Sequence, residues 1–168
     1  MPSRADWTTG PRAFLVLGFY LLASYGVAGV AGISARYGVL DWYDRAPKPF
    51  FTPPNWVFPP VWTAMYGLVA VAAWQLWIHR DTHPLEVSRG LWQWWTQLML
   101  NLAWTPMFFG LKWFWPALVL IVLLDVMVAV TLRTAATVSR AATWLLAPYF
   151  VWLLFATALN LGVALLNP

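Results

Sequence analysis

The segment 115–124 reads WPALVLIVLL, a run without a single charged side chain. Strands of a membrane β-barrel alternate polar and apolar residues in segments of about ten, and this run does not alternate. An unbroken apolar run is typical of a transmembrane helix, which needs about 20 mostly apolar residues. The stretch therefore predicts a helical membrane protein rather than a barrel.

The composition of the whole chain agrees with this prediction. Of 168 residues, 61% are hydrophobic and 10% are charged, and the mean hydropathy is +0.64. A soluble domain carries about 25% charged residues, so a cytosolic enzyme is excluded. Ten basic and six acidic residues give a net charge of +4, but the basic residues form no patch, which argues against a nucleic-acid partner. The chain has no cysteine, which excludes disulfides and cysteine-ligated metals.

Charged residues divide the chain into five apolar stretches. We predict an all-α integral membrane bundle, a single domain over 1–168, with transmembrane helices at roughly 12–35, 59–79, 90–110, 113–133 and 140–164. Residues 36–58 are predicted as a loop because they include a proline-dense segment that cannot form a regular helix. The first apolar run is longer than the roughly 7–15 residues of a signal-peptide core, so we expect it to be retained.

Polar side chains inside a membrane span are candidates for function. In the third helix Gln97, Asn101, Trp104 and Phe108 follow one another at steps of four, three and four, which places them on one face. Asn101 is predicted either to form a hydrogen bond between helices or to line a pocket. The Thr105–Pro106 step is predicted to weaken the helical hydrogen-bond ladder just after this face.

The fifth helix repeats the arrangement with two aromatic residues, a small residue and an amide: Tyr149, Trp152, Ala156 and Asn160. The second helix adds Trp62 and Tyr66, one turn apart. Three helices with an aromatic pair on one face predict a slot for a flat ligand, with ordinary bundle packing as the alternative for any one residue.

Asp125 lies near the middle of the fourth helix. A bare carboxylate there would cost several kcal/mol, so the group is expected to be protonated or partnered. A proton relay is one interpretation. A structural hydrogen bond to a neighbouring helix is the favoured one, because no second acidic residue lies within a span to complete a relay.

Small residues follow one another along the first helix. Ser24, Ala28 and Gly32 lie four residues apart, beside Gly26 and Gly29. Such residues let helix backbones approach closely. The pattern is explained equally well by a homodimer seam and by close packing within the bundle.

His79 and His83 lie four residues apart beside Pro84, between two spans. We interpret them as loop residues, and we predict neither a metal site nor a bound cofactor. Nine of the 14 tryptophans lie near predicted span ends and are interpreted as interfacial anchors: Trp7, Trp74, Trp77, Trp92, Trp94, Trp95, Trp113, Trp115 and Trp144.

Longer motifs make the sequence recognisable. The first loop reads WYDRAPKP at 42–49 and PPNWVF at 53–58, followed by VWTAMY at 61–66. The third helix contains NLAWTPMFFG at 101–110, and the fifth contains PYFVW at 148–152 and ATALN at 156–160. In order and spacing these motifs closely resemble the translocator protein family, whose members are also called tryptophan-rich sensory proteins and formerly peripheral benzodiazepine receptors.

The resemblance implies a five-helix membrane protein, commonly a homodimer, that binds porphyrins and, in animals, cholesterol and synthetic drugs. It implies a pocket among the helices under the first loop, which acts as a lid. Carried onto this chain, the lining is Tyr43, Trp62, Tyr66, Asn101, Trp104, Trp152, Ala156 and Asn160, and the helical-face argument adds Tyr149. Light-dependent porphyrin degradation, reported for some members, would involve Trp62 and Trp152.

Two departures from the family pattern stand out. Ala46 replaces a usual leucine, and Phe51 replaces a usual tryptophan. After Asn160 the chain lacks the tyrosine and basic residue of animal members, which argues against sterol binding through that motif.

The sequence thus predicts a porphyrin-binding receptor or translocator in a bacterial cell membrane, in contact with membrane lipid, without assigned catalytic residues. A porphyrin-degrading activity and a ligand-regulated signalling scaffold are the alternatives.

Overall fold

The structure, a computed structural model, describes residues 10–167. Over this range the chain is all-α, as predicted, and its five long helices follow one another in a bundle. They are α1 (Pro11–Gly38), α2 (Phe58–Trp77), α3 (Pro84–Thr105), α4 (Phe114–Val138) and α5 (Arg140–Leu166).

Among residues 10–167, four helical segments are long and apolar enough to cross a membrane: Pro11–Tyr43, Asn55–Trp77, Phe114–Val138 and Arg140–Leu166. Helix α3 is more polar because it carries Gln93, Gln97 and Asn101. Its 22 residues would span about 33 Å, enough for a membrane. Gln97 and Asn101 are buried by the neighbouring helices, where polar groups are sheltered from lipid.

The helix starts are explained by proline in the first turn, where the missing N–H costs no bond. Pro11 and Pro84 are the first residues of α1 and α3, and Pro59 is the second residue of α2. Helix α3 therefore begins six residues before the predicted start at 90. Helix α4 continues past the predicted end at 133 because Arg133 is exposed and its charge can reach polar surroundings.

Two wider, π-helical segments extend the helices. Val39–Tyr43 continues α1 and Pro106–Gly110 continues α3, the latter at the Thr105–Pro106 step where a weakened ladder was predicted. The two extensions meet closely, since a methyl group on Gly38 would lie 2.6 Å from Phe109 Cβ and 2.7 Å from its carbonyl oxygen. Glycine is required there because the backbone of Phe109 occupies the space.

The first loop is shorter than the predicted 36–58, because helical structure continues to Tyr43 and resumes as a short 3-10 turn at Asn55–Val57. At the start of this loop, Lys48 Nζ donates hydrogen bonds to the carbonyl oxygens of Tyr43 and Asp44, at 2.6 and 2.9 Å. Asn55 Nδ2 donates to Asp44 Oδ1 at 2.9 Å. We call residues 44–54 the lid.

The tryptophans do not all lie at the surface. Trp92 and Trp144 are 73% and 72% exposed, as expected for interfacial anchors. Trp94 is only 1% exposed, and the anchor interpretation is wrong for this residue. Its ring packs edge-on against Tyr20 of α1, and its Nε1 donates to the Val69 carbonyl oxygen of α2 at 2.9 Å. Trp7 lies outside the described residues.

Candidate ligand site

A buried hydrogen-bonded triad joins three helices. Tyr66 Oη in α2 donates to Asn101 Oδ1 in α3 at 2.6 Å, and Asn101 Nδ2 donates to Tyr149 Oη in α5 at 3.3 Å. All three side chains are buried. The interpretation of Asn101 as a hydrogen bond between helices is therefore confirmed, and the triad forms the polar floor of the candidate site.

An aromatic group adjoins this triad between α2 and α5. The Trp62 ring lies 5.8 Å from the Tyr66 ring and 6.3 Å from the Trp152 ring, the latter at an interplanar angle of 84°. Trp152 also contacts Phe58 at 5.9 Å and Phe155 at 5.4 Å. We call Phe58, Trp62, Trp152 and Phe155 the aromatic group.

Phe58 and Phe155 were missed as site residues at the sequence level. Phe58 lies four residues before Trp62, and Phe155 three residues after Trp152. Both spacings place the phenylalanine on the same helix face as the tryptophan. The signal was therefore present in the sequence, although phenylalanine is too common in membrane helices to stand out.

One polar atom inside the aromatic group has no partner. The Trp152 indole Nε1 is buried and has no hydrogen-bond acceptor among residues 10–167. A buried donor without an acceptor costs about 1–3 kcal/mol. An N–H group held among aromatic rings in this way is suited to an acceptor atom on a bound molecule.

A second polar connection links α3, α4 and α5. Trp104 Nε1 donates to Asn160 Oδ1 at 3.0 Å, and Asn160 Nδ2 donates to the Phe114 carbonyl oxygen at 2.9 Å. The Trp104 ring stacks on Phe108 with centroids 5.2 Å apart and an interplanar angle of 21°. One face of Trp104 is thus covered by protein.

Tyr43 belongs to a different aromatic cluster. Its buried ring contacts Trp42 at 5.4 Å, Phe109 at 5.4 Å and Phe108 at 6.1 Å. The cluster also includes Phe114, whose ring lies 5.1 Å from that of Trp42.

The predicted lining residues therefore fall into two sets. Trp62, Tyr66, Asn101, Tyr149 and Trp152 are connected by direct ring contacts or hydrogen bonds. Tyr43, Trp104 and Asn160 lie in or beside the Trp42–Phe108–Phe114 cluster. Ala156, which is buried, comes between Trp152 and Asn160 along α5.

A surface groove of about 490 Å³ lies at the start of α4. It is lined by Lys112, Trp113, Phe114, Trp115, Pro116 and Asn167. None of the nine predicted lining residues contributes to it. In this conformation the Trp62 ring packs against the rings of Tyr66 and Trp152.

Asp125 is held by a neighbouring helix. Thr157 Oγ1 in α5 donates to Asp125 Oδ2 at 2.7 Å, and Asp125 is 8% exposed. The favoured interpretation, a hydrogen bond between helices, is confirmed. Thr157 follows Ala156 directly, so this bond joins α5 to α4 next to one of the predicted lining residues.

The small residues of α1 do not share one environment. Ser24 is buried and Ala28 packs against the core, whereas Gly26, Gly29 and Gly32 are exposed. A methyl group added to any of these three glycines would meet nothing within 4 Å. Close packing explains Ser24 and Ala28, and the three glycines face outward from the bundle.

The two histidines make local contacts. His79 Nδ1 lies 2.8 Å from the Gln75 carbonyl oxygen, and His83 Nδ1 lies 3.0 Å from Thr82 Oγ1. Within residues 10–167 no three His, Asp or Glu side chains are grouped closely enough to hold a metal ion.

Comparison with known proteins identifies the family. A family model described as the TspO/MBR family matches residues 18–166. The tryptophan-rich protein TspO of Archaeoglobus fulgidus is 40% identical over 147 residues, which cover 88% of this chain and 94% of that protein. The tryptophan-rich sensory protein of Cereibacter sphaeroides is 37% identical, with 81% and 85% covered. The human translocator protein is 38% identical, with 72% of each chain covered. The chain therefore belongs to the TspO/MBR family of membrane proteins.

Proposed function

We propose that this protein is a membrane receptor or translocator-type protein that binds porphyrins among α2, α3 and α5. The observation that carries the proposal is the buried, unpartnered Nε1 of Trp152 inside the aromatic group. The walls around it are Trp62, Phe58 and Phe155. A flat aromatic macrocycle with nitrogen and carboxylate acceptors matches this combination of ring faces and an indole donor.

The polar floor supports the same ligand class. The Tyr66–Asn101–Tyr149 triad lies beside the aromatic group, because Tyr66 contacts both Asn101 and Trp62. Binding pockets commonly combine apolar walls with a few well-placed polar groups that orient the ligand. Flat sterol-like or synthetic molecules would meet the same walls but would use fewer of the polar groups.

Ligand entry requires the site to open. The Trp62 and Trp152 rings are in edge-to-face contact, with centroids 6.3 Å apart. A macrocycle about 3.5 Å thick can insert between the two rings only after this contact is broken. Binding between the rings therefore requires a separation of α2 and α5 or rotation of one indole.

The lid offers a cation for acidic substituents. Lys48 already donates to two backbone carbonyl oxygens, which holds its ammonium group in the loop. Arg45, three residues earlier in the chain, is exposed. We assign Arg45 as the partner of porphyrin propionates, because a guanidinium group can bind a carboxylate through two parallel hydrogen bonds.

Titration of the protein in nanodiscs with protoporphyrin tests the proposal, with intrinsic tryptophan fluorescence as the readout. We expect saturable quenching. Trp152→Phe removes the indole donor and keeps an aromatic ring, so its affinity should fall by about 3- to 10-fold, as expected for one lost hydrogen bond. Trp144→Phe is the matched control, since Trp144 lies on the same helix but is 72% exposed. Absence of saturable quenching, or equal affinity for both variants, would refute the proposed site.

Light-dependent degradation is the second candidate function. Trp62 and Trp152 are two indoles in direct contact. One of them would donate an electron to the excited macrocycle, which passes it to molecular oxygen as superoxide. The indole radical cation would then regain an electron from the porphyrin, and the oxidised porphyrin ring would combine with superoxide. Illumination of the porphyrin complex in air should then bleach the porphyrin faster in wild type than in Trp152→Phe at equal occupancy. Equal bleaching rates would exclude chemistry directed by the protein.

We also propose that the protein forms a homodimer in the membrane. The outward-facing Gly26, Gly29 and Gly32 of α1 leave room for a second helix backbone. Chemical crosslinking in native membranes should trap a dimer, and Gly29→Leu should reduce its yield. An unchanged yield would place any dimer contact on another helix.

A further inference from the structure

The lid runs along the C-terminal part of α5 and touches it with alternate residues. Asn167, just after α5, donates from Nδ2 to the Pro47 carbonyl oxygen at 3.0 Å. Pro49 packs against Gly162. The ring of Phe51 lies 6.3 Å from that of Phe155. Lid positions 47, 49 and 51 thus follow positions 167, 162 and 155 in reverse order, with a turn after Pro49 in which the Thr52 N–H donates to the Pro49 carbonyl oxygen at 3.0 Å.

The Pro49 ring packs directly against Gly162. A methyl group on Gly162 would overlap Pro49 Cγ and would lie 3.2 and 3.3 Å from its Cβ and Cδ. The pyrrolidine ring is rigid, so it cannot bend away as a flexible side chain would. Glycine inside a helix is less stable than alanine by about 0.5–1 kcal/mol. Its presence here is explained by the close approach of the lid.

The contact of Phe51 connects the lid to the aromatic group. Phe51 meets Phe155, and the Phe155 ring lies 5.4 Å from that of Trp152. Trp152 carries the unpartnered Nε1. A displacement of the lid along α5 would therefore break the Phe51–Phe155 contact, through which the lid reaches the aromatic group.

We propose that Gly162 and Asn167 are lid-positioning residues, which hold the lid on α5 and thereby set the rate at which ligand leaves the site. The inference rests on the proposed function. Gly162 leaves space for the Pro49 ring, and Asn167 holds the lid through its hydrogen bond to the Pro47 carbonyl oxygen. The Asn167 Nδ2 also donates to the Val163 carbonyl oxygen at 2.9 Å. The lid is closed when both contacts are made.

The first arm of the test needs no ligand. Because the chain has no cysteine, the pair Pro49→Cys/Gly162→Cys introduces a single disulfide between lid and α5. We expect the disulfide to form rapidly under mild oxidation in nanodiscs. The pair Pro49→Cys/Gly18→Cys is the control, because Gly18 has nothing within 4 Å of an added methyl group. Equal yields for both pairs would overturn the lid placement.

The second arm measures protoporphyrin dissociation. Gly162→Ala and Asn167→Ala should each speed dissociation by about fivefold or more, while Gly18→Ala should not. Oxidation of the Pro49→Cys/Gly162→Cys protein should slow dissociation, and reduction should reverse this. Unchanged rates in all variants would overturn the role of Gly162 and Asn167 in ligand release. If wild type binds no porphyrin, the proposed function fails, and the role of Gly162 and Asn167 in ligand release fails with it. The disulfide yield still tests whether the lid contacts α5.

Discussion

Tyr66 in α2 and Asn101 in α3 are joined by a 2.6 Å hydrogen bond in which the phenol is the donor. This direction fixes the orientation of the Asn101 amide, because Oδ1 accepts from Tyr66 and Nδ2 is then turned toward Tyr149. The Tyr149 hydroxyl accepts, so its own proton is uncommitted among residues 10–167. The triad therefore connects three helices and ends in a phenol that can still donate.

The triad should contribute measurably to stability. Tyr66→Phe keeps the ring and removes the hydroxyl, which leaves buried Asn101 Oδ1 without its donor. We expect the free energy of unfolding to fall by about 1–3 kcal/mol. Tyr37→Phe is the control because Tyr37 is 72% exposed on α1. Thermal unfolding in one detergent compares the two, and equal melting temperatures would contradict the energetic role of the triad.

The Asp125–Thr157 bond should also stabilise the bundle. Thr157→Val replaces the hydroxyl by a methyl group of similar size and leaves Asp125 without the donor to Oδ2. We expect a loss of about 1–3 kcal/mol, because the polar group stays buried without its partner. Asp125→Asn keeps an oxygen acceptor for Thr157 and should be less damaging.

Thr137→Val provides the comparison for this pair. Thr137 is exposed on α4, and its hydroxyl donates only to the nearby Thr134 carbonyl oxygen at 2.8 Å. Urea-induced unfolding in mixed micelles should therefore show a much smaller effect. A Thr157→Val protein as stable as Thr137→Val would show that the buried carboxyl group does not depend on this bond.

Gly38 should not accept a side chain. In Gly38→Ala the new methyl group would meet the backbone of Phe109 at 2.7–3.0 Å, and backbone atoms cannot move away cheaply. We expect a destabilisation of about 1–3 kcal/mol from overpacking. Gly18→Ala on the same helix meets nothing within 4 Å and should be neutral or slightly stabilising. The prediction fails if both variants unfold at the same temperature.

The helix count and the main helix faces could be predicted from the sequence because they depend on local patterns. Apolar runs determine the spans, and spacing placed Trp62 with Tyr66 and Tyr149 with Trp152 on common faces. The ends of the helices were less predictable. Charged residues served as boundaries, but Arg133 remains within α4 because its side chain is exposed.

Contacts between distant segments could not be predicted in the same way. Spacing shows which residues share a face of one helix, but not which other helix covers that face. Tyr43 is far from Phe108 in sequence, and only the crossing at Gly38 and Phe109 brings their rings together. The contact of Pro49 with Gly162 could not be predicted for the same reason, since a glycine in a helix does not show which segment packs against it.

The position of a tryptophan along a span does not determine whether it is buried or exposed. Trp92 and Trp94 on α3 make this testable. Trp94 is 1% exposed and its Nε1 donates to the Val69 carbonyl oxygen at 2.9 Å, whereas Trp92 is 73% exposed. Trp94→Phe removes a hydrogen bond and creates a void in a packed core, so we expect a loss of about 2–4 kcal/mol. Trp92→Phe should change the free energy of unfolding by less than about 0.5 kcal/mol, as is usual for surface substitutions. Trp92 should instead be quenched more strongly by lipids carrying a brominated chain segment near the headgroup, as expected for an exposed tryptophan that anchors a span at the membrane interface. Equal stability losses for the two variants would mean that α3 is turned differently against α1 and α2.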